Sequence, residues 1–138
     1  MNAPARGLHN ILLVEDESDI RLLVTMTLSR LGGLDVHAEP SGQGALSYLK
    51  QGHKPDLIVL DVMMPDMDGV QTFEAIRAMP GFEQTPVCFL TAKVHPAEVK
   101  RWHELGISDV LSKPFSPALL PGQIRVCWER WHERTLAH

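Results

Sequence analysis

The feature that most constrains this chain is a rhythm of short, continuous apolar runs, each ending at polar residues and giving way to an amphipathic segment. Ile11-Leu12-Leu13-Val14 runs into Glu15-Asp16-Glu17, Leu57-Ile58-Val59-Leu60 into Asp61, and Val87-Cys88-Phe89-Leu90 into Thr91. Runs of this length suit strands covered on both faces, as in a parallel sheet. Leu34 to Ala38 alternates weakly and predicts a more exposed strand nearer an edge. Val110-Leu111 predicts a short fifth strand before Ser112, Lys113 and Pro114.

Between the runs the period changes to that of a helix. Ile20, Leu23, Val24, Thr27, Leu28 and Leu31 form one stripe, with Ser18 as the expected N-cap and Gly32-Gly33 as the stop. Ser41 is placed to cap a helix carrying Ala45, Leu46 and Leu49 that ends by Gly52. A turn rich in Pro65, Asp66, Asp68 and Gly69 precedes a helix through Phe73 and Ile76, which Pro80-Gly81 stops. Pro96 suits the first turn of a helix through Val99, Trp102 and Leu105, closed by Gly106. Pro121 opens the last helix, with Ile124, Cys127, Trp128 and Trp131 on one stripe. Five strands each followed by a helix predict an α/β fold, a (βα)5 doubly wound five-stranded parallel sheet. The 138 residues suit one domain, expected over residues 9–138 with a flexible tail at 1–8.

Composition narrows the class of function. Hydrophobic residues make up 44% and charged residues 22%, the balance of an ordinary globule. The net charge of −4 is the wrong sign for phosphate backbones or anionic lipid, so neither a nucleic-acid nor a membrane partner is expected. No apolar run approaches the roughly twenty residues needed to span a bilayer, and Met1 to Gly7 has no apolar signal-peptide core. Cys88 and Cys127 are far apart and lie in apolar stretches, which predicts two buried free thiols in a reducing, cytoplasmic setting. The seven histidines show no metal spacing. Arg125, Arg130 and Arg134 with Glu129 and Glu133 predict a salt-bridged, solvated helix face.

In open parallel sheets ligands bind beyond the carboxyl ends of the strands. The predicted strands deliver Glu15, Asp16, Asp61, Thr91 and Lys113 to that edge. Three carboxylates in one cleft repel each other and raise their pKa values unless a cation is near. Hard oxygen ligands without His or Cys favour Mg²⁺ or Mn²⁺ over zinc. Such a set has the parts for phosphoryl transfer to a carboxylate. Asp61 is the candidate nucleophile, because it leaves the central apolar strand into an exposing turn. Glu15 and Asp16 are candidate metal partners, and Thr91 and Lys113 candidate contacts to the phosphoryl group.

The segments Ile11 to Glu17, Asp61-Val62-Met63-Met64-Pro65-Asp66-Met67-Asp68-Gly69, Leu90-Thr91-Ala92 and Lys113-Pro114-Phe115 closely resemble the receiver domain of two-component response regulators. Four such motifs in order, each at a predicted strand end, are specific where one alone would not be. The resemblance implies a flavodoxin-like receiver fold and a phosphoacceptor role for Asp61, supplied by a sensor histidine kinase or a histidine phosphotransfer protein. It implies Mg²⁺ ligands from Asp16, Asp61 and the backbone carbonyl of Met63, with Glu15 close to the ion through water. It further implies a switch hydroxyl at Thr91, a phosphoryl-pairing Lys113 and a cis bond at Lys113-Pro114.

Two positions depart from the family pattern. Val110 stands where most members carry an aromatic residue, which puts a rotating-aromatic readout in question. Met63 stands where some relatives have a polar group that assists a water, which predicts a long-lived phosphoaspartate. At this length the signal is expected to leave by protein contact, and the fourth and fifth helices are a candidate homodimer or partner face. Three rival readings remain. A pseudo-receiver would bind partners without phosphorylation, but such modules usually lose an acid or the lysine. An aspartyl-nucleophile phosphatase would want an acid at position 63, and a flavodoxin-type cofactor domain a hydroxyl-rich loop where Glu15-Asp16-Glu17 stands.

Overall fold

The computed structural model describes residues 7–92 and 95–136. Five strands, β1 (Asn10–Val14), β2 (Asp35–Glu39), β3 (Leu57–Asp61), β4 (Val87–Thr91) and β5 (Asp109–Ser112), form one sheet in the order β2-β1-β3-β4-β5. Every pairing is parallel. The helices are α1 (Ser18–Met26, continued by a π-helical turn over Thr27–Leu31), α2 (Gly42–Lys50), α3 (Gly69–Arg77), α4 (Pro96–Leu105) and α5 (Leu120–Leu136). This is the doubly wound α/β fold the apolar runs predict.

The sheet divides the core in two because strand side chains alternate between its faces. Leu12, Val14, Ile58, Leu60, Val87 and Phe89 point to the side covered by α2, α3 and α4, where Ala45, Leu49, Phe73, Ile76 and Trp102 meet them. Ile11, Leu13, Leu57, Val59, Cys88 and Leu90 point to the other side, against Val24 and Leu28 of α1 and Ile124 and Cys127 of α5. β3 is buried along its whole length, whereas edge strand β2 is partly exposed, as its weaker pattern predicts. Leu8, assigned from sequence to a flexible tail over 1–8, is only 6% exposed and joins the α1–α5 side of the core. Most of the tail expected from sequence, residues 1–6, lies outside the described residues.

Local signals hold at several helix ends. The Ser41 hydroxyl accepts from Gly44 N–H at the start of α2. Asp68 and Gln71 close a reciprocal capping box at α3. Gly106, at φ 107°, terminates α4 in the left-handed conformation that glycine tolerates best. At α1 the cap is Glu17, one residue before the expected Ser18, and it makes no side-chain cap bond.

Three further expectations need correction. The α1 stripe does not bury all six positions, since Leu23 is 47% and Leu31 66% exposed. Over Thr27–Leu31 the helix widens to a π turn, with Gly32 N–H donating to Thr27 O, and the 3.6-residue period that would turn Leu31 inward is lost. Cys88 and Cys127 are buried, but they are not separate thiols. They form a disulfide between β4 and α5, so the cysteines no longer support a reducing setting. The α5 arginines reach other elements rather than the glutamates beside them. Arg125 donates to Gly32 O, Arg134 to Ser108 O, and Arg130 pairs with Asp109.

Candidate functional site

At the carboxyl edge of the sheet, β1, β3, β4 and β5 bring Glu15, Asp16, Asp61, Thr91 and Lys113 together. Glu15 follows β1 directly and is fully buried, and its backbone N–H still bonds Glu39 O as if the strand continued. Asp61 is the last residue of β3 and is 3% exposed. Carboxylate oxygens of Glu15, Asp16 and Asp61 all lie within 4.8 Å of one another. Thr91 ends β4, 2% exposed, and its carbonyl accepts from the Lys113 N–H at 2.8 Å. That bond carries the β4–β5 pairing to the residue that bears the ammonium. The Lys113-Pro114 bond is cis, as the resemblance implies.

The Lys113 Nζ donates to Glu15 Oε1 at 2.8 Å and to Asp61 Oδ1 at 3.3 Å. Burial alone would lower the ammonium's pKa, but the hydrogen bond and charge of Glu15, with those of Asp61, outweigh it and hold Lys113 above its ordinary value. Asp61 is pushed up to about 7. Burial is the largest cause, the Glu15 charge adds to it, and Lys113 only partly offsets them.

One ammonium facing three clustered carboxylates leaves negative charge uncompensated. Asp16 Oδ1 is buried without a hydrogen-bond partner, an arrangement that costs free energy unless a cation or proton arrives. An all-oxygen donor set with an orphaned carboxylate oxygen fits a hard divalent ion such as Mg²⁺. The turn after Asp61 is held by Gly69 N–H donating to Val62 O, and Met63 within it is 74% exposed.

All the acids singled out from sequence, Thr91 and Lys113 thus reach one edge. Arg21 was missed. Its Nη1 donates to Glu15 O at 3.0 Å and to Asp16 O at 3.3 Å. The only trace in the sequence is a cation one helical turn into α1, which by itself reads as an ordinary surface residue.

Comparisons with known proteins agree with this geometry. Residues 11–125 match the family description "Response regulator receiver domain". The chain is 38% identical over 115 residues to the "Probable transcriptional regulator ycf27" of Porphyridium aerugineum, covering 83% of this chain and 46% of that protein. It is 35% identical over 116 residues to the "Response regulator Rre1" of Synechocystis, covering 84% and 50%. The chain therefore spans about half the length of these curated relatives. Among solved structures, the chemotaxis protein CheY4 of Vibrio cholerae superposes with a TM-score of 0.81 at 29% identity, covering 88% of this chain and 99% of that one. With the sheet order, the strand-end acids and the matched residues in agreement, the chain belongs to the response regulator receiver domain family of two-component signalling.

Proposed function

We propose that this receiver takes a phosphoryl group onto Asp61 from the phosphohistidine of a sensor histidine kinase or a histidine phosphotransfer protein. The observation that carries the reading is the cluster of Asp61, Glu15 and Asp16, in which the Lys113 ammonium bridges Asp61 and Glu15. An Asp61 oxygen attacks phosphorus, the O–P bond forms, the N–P bond breaks, and the leaving imidazole keeps the electron pair of that bond. Lys113 stands beside Asp61 to pair with the added charge, and the Thr91 hydroxyl is assigned as donor to a phosphoryl oxygen.

Asp16, Asp61 and the Met63 backbone carbonyl are assigned as ligands of Mg²⁺, for which Mn²⁺ can substitute, with Glu15 close through water. When bound, the ion supplies positive charge that offsets the carboxylates and the transferring phosphoryl oxygens. The reading makes the chain a signalling module whose only chemistry is its own phosphorylation and dephosphorylation, acting with a cytoplasmic kinase domain.

The outgoing signal is assigned to a population shift of the face built by α4, β5 and α5. Leu105 of α4, Leu119 just before α5 and Val126 of α5 are exposed and support its use by a protein partner or a second copy. Val110 lies half-buried at the usual aromatic position, so the shift proceeds without an aromatic swing at that site.

The test is intact mass after incubation with Mg²⁺ and acetyl phosphate, beside Asp61→Ala. One added phosphoryl group, absent in the variant and under EDTA, is the expected result. No gain in the wild-type chain would overturn the reading in favour of a phosphorylation-independent binding module.

A further inference from the structure

The β1–α1 loop carries two of the three clustered acids, and its shape is set from both ends. On the strand side Glu15 N–H bonds Glu39 O at 3.1 Å. On the helix side the half-buried Arg21 places one guanidinium nitrogen between the carbonyls of Glu15 and Asp16. Arg21 N–H also bonds Glu17 O at 2.8 Å, and Glu17 N–H bonds the Glu15 carboxylate at 3.2 Å. Fixing these two successive carbonyls fixes the peptide planes on either side of the Asp16 Cα, and with them the direction in which the Asp16 side chain leaves the backbone. That side chain holds the buried, unpartnered Oδ1.

We infer that Arg21 is a positioning residue for the divalent cation, holding Asp16 in its ligating direction through the backbone rather than by touching the ion. The inference rests on the metal reading proposed above. Two effects of Arg21 oppose each other. Its positive charge, acting alone, would weaken cation binding, whereas its hydrogen bonds pre-organise the acids and strengthen it. The pre-organising effect wins, because both donor contacts fall on the residues that present the carboxylates. Groups that orient metal ligands without binding the metal are typically worth about 10-fold or more in affinity.

A lysine cannot reproduce the arrangement. It keeps the charge but lacks the rigid guanidinium geometry. Arg21→Met keeps much of the aliphatic stem and removes both charge and donors. The pair of variants therefore separates position from charge.

The experiment is a Mn²⁺ titration of the whole chain, read by the electron paramagnetic resonance signal of free Mn²⁺, with thermal melts in EDTA alongside. Asp16→Asn serves as the ligand control. Expected is a dissociation constant about 10-fold higher in both Arg21→Met and Arg21→Lys, a shift that persists when Mg²⁺ is used as competitor. Tighter binding in Arg21→Met with unchanged binding in Arg21→Lys would show that charge governs and overturn the inference. So would lower melting points with unchanged dissociation constants, the mark of a merely structural arginine. If Arg21→Met does not fold, unchanged affinity in Arg21→Lys is enough to overturn it. A wild-type chain that binds no Mn²⁺ overturns the metal reading itself and this inference with it, whereas wild-type binding lost in Asp16→Asn keeps the two separable.

Discussion

The Lys113 ammonium sits closer to Glu15, at 2.8 Å, than to Asp61, at 3.3 Å. The lysine is therefore anchored by an acid other than the proposed phosphoacceptor and stays in place while Asp61 changes charge. Removing it leaves Glu15, fully buried, without its cation. Lys113→Met is expected to cost about 3 kcal/mol of stability in EDTA and to abolish most phosphorylation by acetyl phosphate. Urea unfolding at neutral pH measures the first effect and intact mass the second.

Asp61 gives the metal-free chain a distinct response to pH. Its carboxyl is pushed up to about 7, against about 3.9 for an unfolded aspartate. Between these values the folded state binds the extra proton, so unfolding free energy falls as pH rises. The contribution is fully present below about pH 4 and lost as pH rises through about 7. The expected outcome in EDTA is a melting midpoint that drops from pH 5 to pH 8 and recovers when Mg²⁺ is added at pH 8. Asp61→Asn is expected to flatten that drop, and an equally steep drop in the variant would refute the assignment.

Gly69 lies where no side chain fits. A Cβ there would strike the carbonyl oxygen of Asp61 and come within 2.7 Å of Val62 Cα. Both obstacles are backbone, so they yield only by displacing the turn that follows Asp61. Gly69→Ala is expected to cost about 2 kcal/mol in denaturant unfolding and to slow phosphorylation, although position 69 touches no reacting atom.

Met63, two residues after Asp61, is 74% exposed, and its side chain has no donor to orient an attacking water. Met63→Asn is expected to shorten the phosphoaspartate lifetime several-fold, followed as decay of the added mass after the phosphodonor is removed. An unchanged lifetime would remove the side chain at 63 from any account of how the signal ends.

Much of this architecture is legible one segment at a time. A run such as Leu57 to Leu60 needs both faces covered, and Asp61 marks where it leaves the core, so strand, direction and site edge are all readable locally. The cap at Ser41 and the stop at Gly106 are equally local, since they involve residues within one turn of each other. Periodicity fails where the backbone departs from 3.6 residues per turn. The π turn at Thr27–Leu31 exposes Leu31 against the pattern, and only the hydrogen bonds show it.

By itself, then, the sequence determined the parallel α/β sheet and the strand ends that carry Glu15, Asp16, Asp61, Thr91 and Lys113. These follow from burial and from polar residues breaking apolar runs, which are properties of neighbours along the chain. Only the tertiary structure decided that Lys113 prefers Glu15, that Cys88 meets Cys127, that the α5 arginines reach Gly32, Asp109 and Ser108, and that Arg21 holds two carbonyls of the acidic loop. Most of those contacts join residues far apart in sequence, and the Arg21 contacts depend on the path of one loop. Their distances are set by how helices dock on the sheet, which no local period encodes.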